Sequence, residues 1–258
     1  IYALPDPNPV AAGGADALQA AGIKIQGGVC EVEAREQNRA WLHGLKYQRP
    51  YVIGKSAMSL DGRIATANGE RKWLTSEASR NRAHKIRASV DAIIVGADTV
   101  VADDPALTAR TSDNTRTPLR VVLDSSGRTT PGAKVYERNG SDGETPALLV
   151  TTKACGSSRR ASYEEMGVEI LTLTADPNGR PDLIELLGEL YGRGLRSIMV
   201  EGGGKVLGAF FDAGLIDEFA LFIAPKLIGG GKPAFGGGGV KSLSDMDQYE
   251  FQQAGFLE

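Results

Sequence analysis

The stretch RSIMVEGGGKVLGAFFDA (196–213) decides the fold. Ser197 to Val200 is a short apolar run ending in Glu201, then three glycines, then apolar residues at helical spacing from Lys205 to Ala213. A buried strand running through a glycine turn into a helix is the repeating joint of an α/β layer. Glycines there let backbone N–H groups approach an anion, and the following helix start presents its positive end. The run lacks the lysine–serine/threonine ending of a triphosphate-hydrolysing loop and the full G-x-G-x-x-G of a dinucleotide fingerprint, although Gly202, Gly204 and Gly208 are loosely similar in spacing. A tight turn without a ligand satisfies the same pattern. Glu201 closes the strand, where α/β sheets place their ligands; a carboxylate stabilised by the helix dipole explains it equally.

Working outward, strands and helices alternate. Tyr51 to Ser56, Asp91 to Gly96, Leu119 to Asp124, Ala147 to Thr151, Val168 to Leu173 and Phe219 to Ala224 read as strands, as does Tyr249 to Gln253. Ser76 to Ser89, with Thr75 as N-cap, Asp98 to Ala102, and Pro181 to Tyr191, with proline in the first turn, read as helices. The expectation is α/β with a mainly parallel central sheet flanked by helices. Residues 136–146 read as an exposed loop and Gly236 to Gly239 as a flexible one. The first 48 residues differ: turn chemistry at Asp6 to Pro9, a helix from Ala15 stopped by Gly22, a strand at Ile23 to Ile25, and a helix from Glu31 to Leu45 that Arg49-Pro50 ends. The boundary is placed at 48/49.

Composition bounds the function. The chain has 258 residues, 41% hydrophobic and 24% charged, with a net charge of −3. Such a balance gives no broad pull towards nucleic acid or an anionic membrane, so anionic substrates must be held by local clusters. Cys30 and Cys155 form neither a disulfide framework nor a zinc spacing and fit a reducing compartment. No apolar run approaches the ~20 residues of a membrane span, and the first residues lack a signal peptide's pattern. The expected location is cytoplasmic.

Two further blocks carry chemistry. In KSAMSLDGRIA (55–65), Lys55 puts a charge in an apolar strand, which needs a partner, a function or an edge. GERKWLT (69–75) follows, with Trp73 either packing or binding. In RASVDAIIVGADTVVADDPALTAR (87–110), Thr99 stands near a helix start, where it caps or donates to phosphate. Arg87 and Arg110 supply two separated guanidinium groups suited to phosphate.

In this order the blocks, with LRVVLDSSGR (119–128), VEGGGKVLGAFFDAGLIDE (200–218) and IAPKLIGG (223–230), resemble the reductase domain of the bifunctional deaminase–reductase of riboflavin biosynthesis. The resemblance covers residues 49–230. The DPNP segment and the AAGI…EAREQNRAWLHG stretch resemble the end of that family's deaminase domain, so residues 1–48 are expected to be its remnant and 49–258 the reductase.

The resemblance implies a dihydrofolate-reductase-like fold, NADPH as hydride donor, and a homodimer. It implies reduction of 5-amino-6-(5-phosphoribosylamino)uracil to the ribitylamino compound. The alternatives are a reductase of the non-deaminated pyrimidine or an inactive NADPH-binding fragment. Residue by residue it implies Lys55 and Glu201 as acid–base pair, and Arg71, Arg87, Leu107, Arg110 and Glu201 as substrate contacts, the arginines on the 5′-phosphate. For the cofactor it implies Ala57, Trp73, Thr99, Asp103, Ser125 and the run Gly203, Gly204, Lys205, Val206, Leu207, Gly208 and Ala209. The family commonly has serine where this chain has Arg71. No metal site is expected: His43 and His84 are the only histidines, neither sits in H-x-E, and no P-C-x-x-C pair exists to build a zinc deaminase.

Overall fold

A computed structural model describes residues 1–71, 74–111, 117–137, 147–246 and 248–257. The chain divides into two compact units, Ile1–Tyr51 with Leu187–Arg196, and Val52–Leu186 with Ser197–Glu258.

The first unit holds three helices: α1 (Gly14–Ala20), α2 (Glu31–Gln37) and α3 (Arg39–Tyr47). Gly22 ends α1 as expected, at φ 79, a left-handed value that glycine adopts without a Cβ clash. The strand expected at Ile23 to Ile25 does not form, because the Ile23 N–H closes α1 on the Leu18 carbonyl, 3.1 Å. The single helix expected from Glu31 to Leu45 is two. Asn38 breaks it, its side-chain amide donating to the Ala34 carbonyl at 2.8 Å, the local competition that makes Asn a poor helix-interior residue.

In the second unit the chain runs β1 (Tyr51–Ser59), β2 (Arg63–Ala65), α4 (Glu77–Ser89), β3 (Ala92–Gly96), α5 (Ala97–Asp103), β4 (Leu119–Leu123), β5 (Ala147–Thr151), α6 (Ser157–Glu165), β6 (Glu169–Thr172), α7 (Leu183–Gly192), β7 (Ser197–Glu201), α8 (Gly204–Asp212), β8 (Glu218–Ala224) and β9 (Lys232–Pro233). The division between units passes through α7. Seven strands form one sheet in the order β6-β5-β4-β3-β7-β1-β8. The registers of β3 with β4 and β7, β4 with β5, β5 with β6, and β1 with β8 are all parallel. β3 is buried at every position, which its continuous run Ala-Ile-Ile-Val requires of a strand covered on both faces. Burying each of Ile93, Ile94 and Val95 completely contributes roughly 1.5–3 kcal/mol.

The chain fills the sheet outward from β3 through β4, β5 and β6, while β7, β1 and β8 lie on the other side. The order therefore switches between β3 and β7, which opens a crevice at their carboxyl ends. Glu201 ends β7 and Gly96 leads into α5, so the two most informative turns of the sequence face this one crevice.

Several expectations move. The N-cap of α4 is Ser76, whose Oγ accepts from the Ser79 N–H at 3.2 Å, one residue beyond Thr75. α7 starts after Asp182, which accepts from the N–H groups of Ile184 and Glu185 at 2.9 and 2.8 Å; Pro181 instead makes a bridge with Ala175. Tyr249 to Gln253 forms no ladder, and Tyr249 stacks edge-on against Phe219, 5.0 Å between centroids. Tyr136 is not an exposed loop residue: it is buried in a 3-10 turn, its hydroxyl 2.9 Å from Thr129 Oγ1. Residues 138–146 of that expected loop lie outside the described residues. Gly236 to Gly239 is tied down rather than flexible. Gly236 N–H donates to the Gly204 carbonyl at 2.8 Å, and the N–H groups of Gly238 and Gly239 cap the Asp212 carboxylate at 2.7 and 3.0 Å.

Candidate active site

Lys55 projects from β1, which lies between β7 and β8 and is no edge. Its charge is therefore explained by a partner. Nζ donates to Glu201 Oε1 at 3.0 Å, both side chains nearly buried. Arg87, from α4, donates through Nε to Glu201 Oε2 at 2.7 Å and through Nη2 to Oε1 at 2.8 Å, a two-pronged clamp. Its remaining terminal nitrogen donates to the Thr108 carbonyl at 3.1 Å. Burial opposes ionisation of Glu201, but the charges of Lys55 and Arg87 and their hydrogen bonds outweigh it and hold the carboxyl down at about 2. At neutral pH Glu201 is thus a carboxylate that accepts and orients, not a proton donor. Arg87, assigned to phosphate in the sequence reading, has its fork committed to Glu201.

This cluster lines a cleft of about 420 Å³ at the carboxyl ends of the strands. Lys55, Arg71, Arg80, Arg87 and Arg110 line it against two carboxylates, Asp103 and Glu201. This is the local cationic cluster that a chain of net charge −3 needs to hold anions. Arg71, the departure from serine, pairs through Nε with Asp103 Oδ1 at 2.9 Å. Leu107 lines the same cleft, buried, at φ 53. A non-glycine residue in that region costs on the order of 1–3 kcal/mol, a strain characteristic of ligand sites.

On the other side of the switch point Thr99 stands in the first turn of α5. Its Oγ1 is buried and has no partner among the described residues. It faces Gly202 and Gly203, at φ 84 and 71, and a Cβ on Gly203 would lie 3.0 Å from that hydroxyl. An orphaned hydroxyl, side-chain-free backbone and the start of α8 together suit an anionic oxygen. Gly204 and Gly208 have another reason. A Cβ on Gly204 would collide with the Pro233 carbonyl, and one on Gly208 would come within 2.5 Å of Gly237 N. So the run permits backbone approach at its front and close packing of the 233–237 segment behind.

Of the expected cofactor residues, Ala57, Thr99, Asp103, Gly203, Gly204 and Leu207 line the cleft. Lys205 lies outside the lining, its Nζ 3.0 Å from Asp98, which also holds Arg128 at 2.8 Å. Val206 packs where a side chain on Gly96 would stand. Gly208 and Ala209 are likewise off the lining. Ser125 sits at the ends of β4 and β5, its carbonyl accepting from Thr151 and Thr152 hydroxyls at 2.9 and 3.1 Å. Trp73 lies outside the described residues. Missed in the sequence were His84 and Arg80, both on the lining. Their spacing to Arg87 along α4 was the available signal, since residues three and four apart share a helix face.

A parallel α/β sheet with this crevice is a dihydrofolate-reductase-like domain. The chain belongs to the RibD C-terminal domain family, whose sequence profile matches residues 50–255, and that family places it among the reductase domains of riboflavin-biosynthesis proteins. It is 38% identical to the riboflavin biosynthesis protein RibD of Bacillus amyloliquefaciens over 97% of this chain and 67% of the relative. The RibD structure from Acinetobacter baumannii superposes with a TM-score of 0.82 at 32% identity, covering 98% of this chain and 68% of that one. A diaminohydroxyphosphoribosylaminopyrimidine deaminase/5-amino-6-(5-phosphoribosylamino)uracil reductase from Thermotoga maritima superposes at 0.78 and 31% identity, covering 95% and 64%. The chain thus spans about two thirds of the length of these relatives.

Proposed function

We propose that the domain reduces 5-amino-6-(5-phosphoribosylamino)uracil to 5-amino-6-(5-phosphoribitylamino)uracil with NADPH. The observation that carries this reading is the Lys55–Glu201–Arg87 cluster and the Thr99–Gly203 cradle lining one cationic cleft. The ring-opened substrate has a C1′=N bond, and its reduction adds one hydride to C1′ and one proton to nitrogen. The nicotinamide, when bound, supplies the hydride. The chain's residues handle protons and position. Lys55, as an ammonium, delivers a proton to the bridging nitrogen or the ring oxygen. Glu201 holds that ammonium in place, and Arg87 keeps Glu201 ionised. Thr99 Oγ1 and the backbone of Gly202–Gly204 hold a cofactor phosphate, and the cleft cations hold the substrate's.

Residues 1–48 are proposed as the tail of a deaminase-like domain: the structural relative from Thermotoga maritima is a deaminase as well as a reductase, and the family match begins at residue 50. Deamination itself is not assigned to these residues, which lack the H-x-E and P-C-x-x-C ligands it needs. The rest of the reading is a cytoplasmic homodimer acting on a small molecule, without nucleic-acid or membrane partners. Two free cysteines, Cys30 and Cys155, support a reducing location. Among the described residues, no helix is long and apolar enough to cross a membrane.

Anaerobic turnover tests the proposal, with NADPH and either the deaminated or the non-deaminated pyrimidine. The expected outcome is NADPH oxidation that depends on the deaminated substrate. Lys55→Met should lower kcat about 10²–10⁴-fold, the usual worth of a positioned proton donor. Wild-type-like turnover by that variant would remove Lys55 from the chemistry.

A further inference from the structure

Gly204, Gly208 and Asp212 stand at i, i+4 and i+8 of α8, one stripe along the helix. The chain that follows β8 lies on this stripe. The Gly236 N–H donates to the Gly204 carbonyl at 2.8 Å. Gly208 has no room for a Cβ beside Gly236 and Gly237, and a Cβ on Gly237 would collide with the Asp212 carboxylate. The same segment is tied at both ends by one device. Asp61, in the turn between β1 and β2, accepts from the N–H groups of Ile228 and Gly229 at 3.1 and 2.7 Å, one on each oxygen. Asp212 accepts from Gly238 and Gly239 at 2.7 and 3.0 Å, again one on each. The second donor of each pair is a glycine of left-handed φ, 79 at Gly229 and 61 at Gly239, a turn in which successive N–H groups converge on one anion. Ser59 Oγ donates to Asp61 Oδ1 at 2.6 Å and fixes that carboxylate in turn. Between the anchors, Ala234 N–H donates to the Gly62 carbonyl at 2.9 Å, and Ala234 itself is buried and lines the cleft with Gly204.

We infer that residues 228–239 form a strap that seats the start of α8, and that Asp61 and Asp212 are positioning residues for the anion cradle of Thr99 and Gly202–Gly204. Neither residue lines the cleft, so each acts through the backbone it holds. The N–H groups at the start of α8 serve an anion only when they are aimed together with Thr99 Oγ1, because hydrogen bonds weaken steeply with misalignment. The strap aims them: Gly236 grips the Gly204 carbonyl, and the Pro233 carbonyl rests on Gly204. That the anion is a cofactor phosphate rests on the reductase reading; the strap itself does not.

Two probes separate the two. NADPH is titrated by fluorescence and inorganic pyrophosphate calorimetrically against the purified chain, for wild type, Asp212→Ala, Asp212→Asn and Asp61→Asn. Alanine has the better helix propensity and lifts a negative charge from the helix C-terminus, so Asp212→Ala frees the strap without weakening α8. Hydrogen exchange of the ligand-free variant should quicken about tenfold in residues 236–239 and stay unchanged in β3. Both probes should bind it about tenfold more weakly, the worth of one charge-assisted hydrogen bond. Asp212→Asn, which keeps one acceptor oxygen, should recover part of that loss, and Asp61→Asn should weaken both probes about threefold. In turnover the KM for NADPH should rise, with kcat at saturating NADPH and the substrate KM within about twofold of wild type. Where Asp212→Ala fails to fold, the two asparagine variants carry the same test. Unchanged exchange in the strap, unchanged affinity for both probes, or a loss shared equally by NADPH and substrate leaves the two carboxylates a structural role only and overturns the inference. Pyrophosphate binding that weakens with Asp212→Ala in a chain that neither binds nor oxidises NADPH leaves the strap standing and sinks the cofactor reading. A wild type that binds neither probe sinks both.

Discussion

Glu201 has two positive neighbours and is buried, so its charge state is tied to folding. Its pKa falls from the ordinary 4.5 to about 2. A depressed carboxyl stabilises the fold above the unfolded pKa and loses that contribution as pH drops through the folded one. Stability should therefore decline between pH 4.5 and about 2 in denaturant titrations. Glu201→Gln should show a shallower decline across that window. At neutral pH the same variant leaves Lys55 and Arg87 without their counter-charge and should cost about 3–5 kcal/mol. Thr99 makes the opposite case. Its buried hydroxyl has no partner among the described residues, so Thr99→Val should leave the melting temperature unchanged or raise it slightly. It should weaken NADPH about tenfold in a fluorescence titration, the loss of one hydrogen bond to an anion. A residue that serves only packing would show the reverse pattern.

At the scale of elements, the sequence was legible wherever burial dictated it. Continuous apolar runs gave β3, β4, β5 and β7 to within a residue or two, because strands covered on both faces tolerate little else. α6 escaped because SSRRASYEE buries one side chain, Tyr163, and so shows no apolar stripe. β9 escaped because two residues, Lys232 and Pro233, carry no period at all. The two-stranded antiparallel pairing it makes with β2 nevertheless matters, as it brings the 233–237 backbone against α8. Gly208→Ala tests that packing. Its Cβ would lie 2.5 Å from Gly237 N and 2.8 Å from Gly236 backbone atoms, and backbone cannot step aside as a side-chain tip can. The substitution should cost about 1–3 kcal/mol by overpacking, despite the better helix propensity of alanine. Because α8 starts at the cradle, NADPH affinity should fall with it. Chemical denaturation and the same fluorescence titration read the two effects.

The whole molecule is mildly acidic yet carries its cleft cations in one place, and that contrast is what turns composition into selectivity. Composition required a local cluster; the individual arginines could be named from the sequence, but not their partners. Whether Arg87 meets a phosphate or Glu201 depends on how α4 is set against β7, a long-range relation that no local spacing encodes. The electrostatic consequence separates exposed charge from buried charge. Raising ionic strength from ~0.05 to ~0.5 M shortens the screening length from roughly 14 to 4 Å. Attraction of the anionic substrate and of NADPH into the cleft should weaken accordingly, and KM for both should rise severalfold. Glu201, Lys55 and Arg87 are nearly buried, so salt reaches them poorly and kcat should change by less than about twofold. Steady-state kinetics across a salt series, with a neutral osmolyte as control, measures both numbers. If kcat falls as steeply as KM rises, the Lys55–Glu201–Arg87 cluster is open to solvent in the working enzyme. Glu201 could then not hold Lys55 in place through a dry, unscreened pair.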